Sequence, residues 1–294
     1  MSDLPADEGV GEPLEEPPVR PPAVHDDEAR ERSLEESFDR IIVEGRDRLR
    51  RRWIDVFATG ATAGIEVAFG ILALLYVEKA TGSVLLGGLA FSVGFIALLL
   101  GHSELFTEGF LVPVTVVAAG EAPVRSLIRL WVGTLAGNLA GGALSTWVIM
   151  VAFPSLRHQA IVSARYYIDS GVSVHTFTLA LLAGAAITLL TRMHNGTESD
   201  PAKLVASVGI AFVLAGIRLF HSILDSLLAF AALETGRAPF GYQAWLGWMG
   251  ITVAGNMLGG LGLTTLLRLL RSRQRLLDHR AAVARAEEAA PPAS

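Results

Sequence analysis

Two acids interrupt a long apolar stretch of this 294-residue chain: Glu104 and Glu108, with Leu105, Phe106 and Thr107 between them. Carboxylates can pair with cations, exchange protons or accept hydrogen bonds, but they are costly inside a lipid bilayer. Ionisable residues at that depth usually mark a pathway for ions or small solutes, so we expect a transport site here. A re-entrant or interfacial segment with its acids at the headgroups is the alternative interpretation.

A second polar cluster stands in another apolar region and contains Arg218, His221, Ser222 and Asp225. Histidine has an unperturbed pKa of about 6.5, which suits it to give a proton to the anion of a weak acid. We therefore predict that His221 acts in proton transfer on the transport pathway. A buried histidine with a structural role is the alternative. His102 is interpreted as structural or interfacial.

Asp225 raises a charge problem, because an unpaired carboxylate at the bilayer centre repels anions and costs about 2.5–3.5 kcal/mol on the lenient insertion scale. It must be paired, protonated or turned away from the pathway. Arg218 lies seven residues earlier, which is about two helical turns, so a buried Arg218–Asp225 ion pair is our hypothesis. Glu66, Glu104 and Glu108 are rival partners for the same arginine.

The elements that must position these residues are membrane spans. Hydrophobic residues make up 51% of the chain and charged residues 18%, which together with long apolar runs indicates an all-α polytopic membrane protein. The predicted spans are 53–77, 83–119, 125–152, 174–191, 203–233 and 242–267. Spans two and five contain the polar clusters, and the apolar remainder after each cluster is much shorter than the roughly 20 residues of a full span. Both are therefore predicted to be broken helices.

The segments outside the six-span domain at 53–267 are polar. Residues 1–30 are rich in proline and acids and are predicted to be a disordered tail. Residues 31–52 have helical apolar spacing and an arginine cluster, which predicts an amphipathic helix on the membrane surface or against a neighbouring subunit. Residues 268–294 are predicted to be a basic and then flexible tail.

Basic residues flank the spans mainly on the side of the two chain ends. The opposite side has four of them: Lys79, Arg157, Arg165 and Arg237. The positive-inside rule therefore predicts that both termini are cytoplasmic.

Several classes of function are disfavoured by what the sequence lacks. The chain has no cysteine, which excludes disulfides and thiolate metal sites. It also lacks the histidine–glutamate spacing of zinc hydrolases and a nucleophile motif in the right context. We therefore expect no enzyme activity, no metal and no cofactor. The expected partners are the lipid bilayer and small anions, and no nucleic acid.

The chain also repeats itself. The nine residues from Thr134 to Gly142 match those from Thr252 to Gly260 at six positions, with an offset of 118. The pair His102-Ser103 matches His221-Ser222 at a similar offset. Two halves of three spans each, about 53–152 and 174–267, must have opposite orientations, as in many transport proteins. The glycines of the motif are predicted to allow close helix packing, and its asparagines to act on the pathway.

These features together resemble the formate/nitrite transporter family over about residues 45–270. The matching residues are Leu105, Phe106 and Thr107 in the first broken span, His221, Ser222 and Ile223 in the second, and Asn138 and Asn256 in the two Gly-Asn pairs. Two departures concern the second broken span. Phe220 replaces a common glutamate, and Leu224-Asp225 replaces Ala-Asn, which leaves the substrate open.

The resemblance implies a homopentamer in a bacterial inner membrane, with an aquaporin-like pore in each protomer that passes anions such as formate, nitrite, lactate or hydrosulfide. Leu105 and Phe106 would form hydrophobic constrictions, and Thr107 would hydrogen-bond His221. A proton-linked anion channel or transporter is the leading hypothesis. The alternatives are an aquaporin-like channel for neutral solutes, although no Asn-Pro-Ala occurs in either broken span, and a non-conducting scaffold or sensor.

Overall fold

The computed structural model describes residues 38–271 and 273–289. The segment 1–30 and the start of the predicted helix at 31–52 lie outside them. The described part of the chain is helical and has no β-strand, which confirms the predicted all-α class. Its α-helices are α1 (38–50), α2 (Trp53–Thr81), α3 (Val84–Ala90), α4 (Ser92–Gly101), α5 (Val112–Ala118), α6 (Val124–Ala152), α7 (Arg157–Ile168), α8 (Val174–Asn195), α9 (Asp200–Ala211), α10 (Leu224–Leu233), α11 (Tyr242–Leu258), α12 (Leu267–Arg271) and α13 (Arg273–Ala289).

Two apolar regions are interrupted. The chain leaves helical geometry after α4 and resumes as a 3-10 helix, Phe106–Phe110, followed by α5. After α9 it forms a π-helical turn, Phe212–Gly216, then leaves helical geometry and resumes as α10. We call residues 102–107 the first break and residues 218–223 the second break. Both lie in the spans that were predicted to be broken.

Five helical segments of the described chain are long and apolar enough to cross a membrane: Trp53–Thr81, Val84–Gly101, Val124–Ala152, Val174–Asn195 and Tyr242–Leu270. The region before the second break is shorter, because α9 and its π-helical turn together end at Gly216. The count of six spans therefore stays a prediction. α9 packs against α4, and the π-helical turn packs against α3.

Small residues let the long helices approach closely in both halves. α2 packs along α6, and α8 packs along α11. A Cβ atom at Gly141 would collide with the carbonyl oxygen of Ala61, and one at Gly259 would collide with that of Leu181. The glycines around the two asparagines therefore serve helix packing, as predicted.

Two short helices cover the second halves of the broken spans. α1 packs on α5, where Gly45 contacts Val112 and Val116, and α7 packs on α10 in the same way. The apolar side of α1 is thus covered by its own chain and not by lipid; its buried residues are Phe38, Ile41, Ile42 and Leu49. α7 was not predicted, and it extends the repeat beyond the spans.

The helices at the two ends of the described chain meet at one carboxylate. Glu121, in the loop between α5 and α6, pairs with Arg46 of α1 and with His279 of α13. The rings of Phe38 and His279 are also in edge contact, with centroids 6.0 Å apart. We call this side of the bundle the α1 face. The tail that was predicted to become flexible is helical over Arg273–Ala289.

Candidate functional site

The two breaks have the same backbone geometry. His102 and Arg218 are the two non-glycine residues of the described chain with positive φ, at 52° and 58°. The residue that follows each of them donates its backbone N–H to a carbonyl of the preceding helical segment. These bonds run from Ser103 N–H to Leu98 O (3.3 Å) and from Leu219 N–H to Leu214 O (2.9 Å). All three pairs of equivalent residues are separated by 116 positions.

Asn138 of α6 holds the first break. Its Oδ1 accepts the N–H of Phe106 at 2.8 Å, and its Nδ2 donates to the carbonyls of Glu104 at 2.9 Å and Gly60 at 2.8 Å. The side chain is fully buried. It therefore satisfies two backbone groups that the interrupted helix cannot pair, and its bond to Gly60 ties the break to α2.

Asn256 of α11 does the same for the second break. Its Oδ1 accepts the N–H of Ser222 at 2.9 Å, and its Nδ2 donates to the carbonyls of Phe220 at 2.9 Å and Ala180 at 2.7 Å. The offset of 116 makes His221 the counterpart of Leu105 and Ser222 the counterpart of Phe106. The predicted match of His102-Ser103 with His221-Ser222 is shifted by three residues from the alignment that these hydrogen bonds show. The predicted register of the two breaks is therefore wrong.

An acid follows each break and accepts a backbone hydrogen bond from it. Glu108 Oε2 accepts the N–H of Leu105 at 3.3 Å, and Asp225 Oδ2 accepts the N–H of His221 at 2.7 Å. Asp225 is fully buried. Both acids act as caps at the starts of the half-helices that follow the breaks.

His221 joins the two breaks. Its Nε2 lies 2.8 Å from Thr107 Oγ1, which is the hydrogen bond that the resemblance implied, and its Nδ1 accepts the N–H of Leu224 at 3.1 Å. The ring is 1% exposed. Because Nδ1 is an acceptor, the proton of the neutral ring lies on Nε2 and points to Thr107.

The predicted ion pair between Arg218 and Asp225 does not form. Among the described residues the guanidinium pairs with Glu78 of α2, at 3.7 Å, and stacks 4.7 Å over the ring of Tyr166. Glu78 also accepts hydrogen bonds from Ser163, at 2.7 Å, and from Gln159 of α7. The helix break brings Arg218 to Glu78, so a spacing of two turns does not apply, and only a charge interaction without an ion-pair contact links Arg218 to Asp225.

The other intramembrane acids have separate surroundings. Glu104 is paired with Arg48 of α1 at 3.3 Å and with Arg51, just after that helix, at 2.7 Å. Glu66 lies against Gly101 at the end of α4 and against Ser103 of the first break. Neither therefore competes for Arg218. The acid that does pair with it, Glu78, was missed because it sits near the end of the first span.

The residues around the His221–Thr107 contact are apolar on the side of the first break. Leu105 and Phe106 are 2% and 3% exposed. The ring of Phe106 packs edge-on against Phe110, with centroids 5.2 Å apart, and Phe110 packs against Trp131. The first break thus presents apolar side chains at the positions where the second break presents His221 and Ser222.

A cavity of about 790 Å³ opens on the α1 face and reaches the first break. It is lined by charged side chains of α1, by side chains from the end of α8 and from α9, by Glu104 of the first break and by Glu108 just after it. Arg40 of α1 bridges to Glu198 in the loop between α8 and α9 at 2.8 Å. No cluster of three metal-binding side chains occurs within residues 38–271 and 273–289.

Comparison with known proteins places the chain among membrane transport proteins. The sequence profile described as formate/nitrite transporter matches residues 35–270. The chain is 25% identical to inner membrane protein YfdC of Escherichia coli K12 over 257 residues, covering 84% of this chain and 81% of that protein. It is 32% identical to formate channel FocA of Haemophilus influenzae over 99 residues, covering 32% of this chain and 34% of the channel.

Solved structures share the fold. An FNT family ion channel superposes with a TM-score of 0.69 at 18% identity, covering 80% of this chain and 98% of that chain. A pentameric formate channel with formate bound superposes with a TM-score of 0.62 at 19% identity, covering 74% and 96%. The superposition covers nearly the whole length of each of the two solved chains.

Proposed function

Because the chain belongs to the formate/nitrite transporter family, we propose that it is a membrane channel or transporter for small monovalent anions of weak acids, such as formate or nitrite. The observation that carries this proposal is the buried contact of His221 with Thr107 at 2.8 Å, where the two breaks meet beside Leu105 and Phe106. A relative named as a formate channel supports the same substrate class.

The proposed mechanism begins with an apolar barrier. A dry constriction formed by Leu105 and Phe106 blocks ions and passes neutral molecules more readily. Half-helices that begin at the two breaks offer positive dipole ends to an anion, but Glu108 and Asp225 already cap them. The anion must therefore be neutralised before it crosses.

His221 is proposed to supply the neutralising proton. Transfer of the Nε2 proton to the anion yields the neutral acid. The imidazole ring stays neutral only if another proton reaches its Nδ1 atom. Nδ1 must first release the N–H of Leu224, which it accepts at 3.1 Å. Proton-linked transport through His221 therefore requires a small local opening at the start of α10.

We further propose that the chain forms a homopentamer in a bacterial inner membrane, with both termini in the cytoplasm. A solved channel of the same fold is pentameric, which supports the assembly. A relative named as an inner membrane protein supports the membrane. α1 and α13 lie on the same side of the bundle, so both ends of the described chain face the same compartment.

Uptake into proteoliposomes tests the function. The full-length protein is reconstituted and offered formate, nitrite, lactate and glycerol, with and without an inward proton gradient, beside protein-free vesicles. We expect uptake of the weak acids, stimulated by the gradient. Uptake of glycerol alone would identify a neutral-solute channel, and vesicles that take up no solute faster than the protein-free control would indicate a non-conducting scaffold or sensor.

A further inference from the structure

Four buried polar atoms near the second break make no hydrogen bond within the described part of the chain. They are Ser222 Oγ, Asp225 Oδ1, Trp248 Nε1 and Thr252 Oγ1, on side chains that are all fully buried. Tyr167 approaches the same Asp225 carboxyl group, but Oδ1 keeps no hydrogen bond. Buried polar atoms are nearly always paired in folded proteins, and each unpaired atom costs about 1–3 kcal/mol. A cluster of four at one place therefore indicates that another molecule supplies the missing hydrogen bonds.

The helix α11 places two of these atoms beside the second break. Trp248, Thr252 and Asn256 follow one another at intervals of four residues and so lie on one side of the helix. The ring of Trp248 packs against Phe220 at 6.1 Å, and Asn256 bonds to the backbone of Phe220 and Ser222. Thr252 lies between the two, so its hydroxyl faces the same segment.

The first half of the chain has no such cluster at the equivalent positions. Thr134 is the counterpart of Thr252, and its hydroxyl donates to the Leu130 carbonyl of its own helix at 2.8 Å. Leu130 is the counterpart of Trp248, and Phe106 is the counterpart of Ser222. The unpaired atoms are thus a property of the second half and do not follow from the shared repeat geometry.

We propose that Ser222, Asp225, Trp248 and Thr252 form a binding subsite for the protonated form of a small weak acid. This proposal rests on the proposed function and assigns a substrate form to it. The Trp248 N–H and the Thr252 hydroxyl donate to the carbonyl oxygen of the acid, the Ser222 hydroxyl donates to its hydroxyl oxygen, and the acid O–H donates to Asp225 Oδ1. The anion lacks that O–H and leaves Asp225 Oδ1 without a partner, so the subsite binds the acid in preference to the anion.

The hydroxyl of Thr252 provides the sharpest test, with Thr134→Val as the matched control. Thr252→Val keeps the side-chain shape and removes one hydrogen bond to the solute, so we expect formate uptake to fall about 2- to 10-fold. Its unfolding temperature should stay level or rise, because an unpaired polar atom is lost. Thr134→Val should leave formate uptake unchanged. Equal uptake in the two variants overturns the subsite.

Asp225→Asn tests the selection against the anion. An amide at this position can still accept the N–H of His221 through its oxygen, and its NH2 group, in the place of the unpaired Oδ1, can donate a hydrogen bond to an anion. We expect the formate-dependent electrical current to rise relative to electroneutral uptake at least several-fold. An unchanged ratio of current to uptake overturns the role of Asp225 in the subsite.

A binding measurement separates failure of the subsite from failure of the proposed function. Formate is titrated against the full-length protein in detergent, and the Trp fluorescence of Trp248→Phe is subtracted from that of the parent protein. We expect a saturable change that Thr252→Val shifts to higher formate concentration. If Trp248 responds but vesicles take up no formate, the transport function fails and the subsite stands. If vesicles take up formate but Trp248 does not respond, the subsite is overturned.

If Thr252→Val does not fold, Thr252→Ala replaces it in both assays.

Discussion

Asn138 and Asn256 hold the two broken helices with the same three hydrogen bonds, one accepted from a backbone N–H and two donated to carbonyls. Each side chain is fully buried and links its break to another helix, Asn138 to α2 and Asn256 to α8. A broken helix inside a membrane leaves backbone groups that lipid cannot satisfy. The two amides therefore make the interrupted backbone possible at this depth.

Replacement of Asn138 by leucine should destabilise the protein strongly. The leucine has a similar size but leaves the N–H of Phe106 and the carbonyl of Glu104 unpaired, at a cost of about 1–3 kcal/mol each. Thermal unfolding in detergent measures the loss. Gln243→Leu is the control, because Gln243 is an exposed residue of α11. An Asn138→Leu protein as stable as this control would contradict the role of Asn138.

The asparagines could be predicted from sequence because they lie in a nine-residue repeat, and the breaks because charged residues interrupt apolar runs. The alignment of the breaks could not be predicted. A two-residue match at His102 and His221 suggested one register, whereas hydrogen bonds and positive φ angles pair His102 with Arg218. Register depends on backbone contacts that two residues do not encode.

The partner of Arg218 could not be predicted either. Glu78 is distant in sequence and meets Arg218 only because α3 folds back along α2 after Gly82, which has a φ of 68°. α7 left a signal in the sequence, since Ala160, Ala164 and Ile168 recur at intervals of four residues, and all three are buried. Its mean apolar content is low, so it did not stand out beside the spans.

His221→Ala should uncouple flux from the proton gradient while the protein still assembles. The imidazole is the proposed proton donor, and its removal leaves the Thr107 hydroxyl and the Leu224 N–H without their partner. Formate uptake is measured with and without an inward proton gradient. His158→Ala, at an exposed position on α7, is the control. Gradient-stimulated uptake that persists in a folded His221→Ala protein would exclude His221 as the donor.

Phe106→Ala should raise the conductance of inorganic anions such as chloride. The change opens the apolar constriction to water, and gating by dewetting needs an unbroken apolar surface. Phe91→Ala is the control, because Phe91 is fully buried between other helices and its truncation costs a similar amount of about 3–5 kcal/mol. If both variants conduct chloride as the parent does, Phe106 does not line the pathway.

The Glu78–Arg218 pair should show coupling in a double-mutant cycle. Arg218→Met alone leaves the buried Glu78 carboxylate without its cation. Glu78→Gln alone removes the ionic partner of the Arg218 guanidinium, whose side chain is 23% exposed. We expect the double variant to be less destabilised than the sum of the two single variants by about 0.5–3 kcal/mol. Arg218→Met combined with Asp55→Asn, an acid that pairs with Arg52, should instead be additive in thermal unfolding. Additive losses for Glu78 and Arg218 would show that the 3.7 Å contact contributes nothing.

Glu121 should make the docking of α13 sensitive to acid. Burial alone raises the pKa of this carboxyl, but hydrogen bonds from His279 and Arg46 outweigh it and bring the pKa below its ordinary value of 4.5. A carboxyl whose pKa is lower in the folded state stabilises that state above its ordinary pKa, and this contribution is lost as the pH falls below about 4.5. We therefore expect α13 to lose protection from hydrogen exchange below about pH 4.5.

Glu121→Gln should weaken the docking of α13 already at neutral pH, because a neutral amide cannot replace the ionic contact with Arg46. Hydrogen exchange over residues 273–289, read by mass spectrometry from pH 7 to pH 4 with rates corrected for intrinsic exchange, measures both effects. Asp278→Asn is the matched control, since this acid lies on α13 itself and bonds to Gln274 within the helix. Protection in Glu121→Gln that equals the control at pH 7, or that falls with pH as in the parent, would show that Glu121 does not hold α13 to α1.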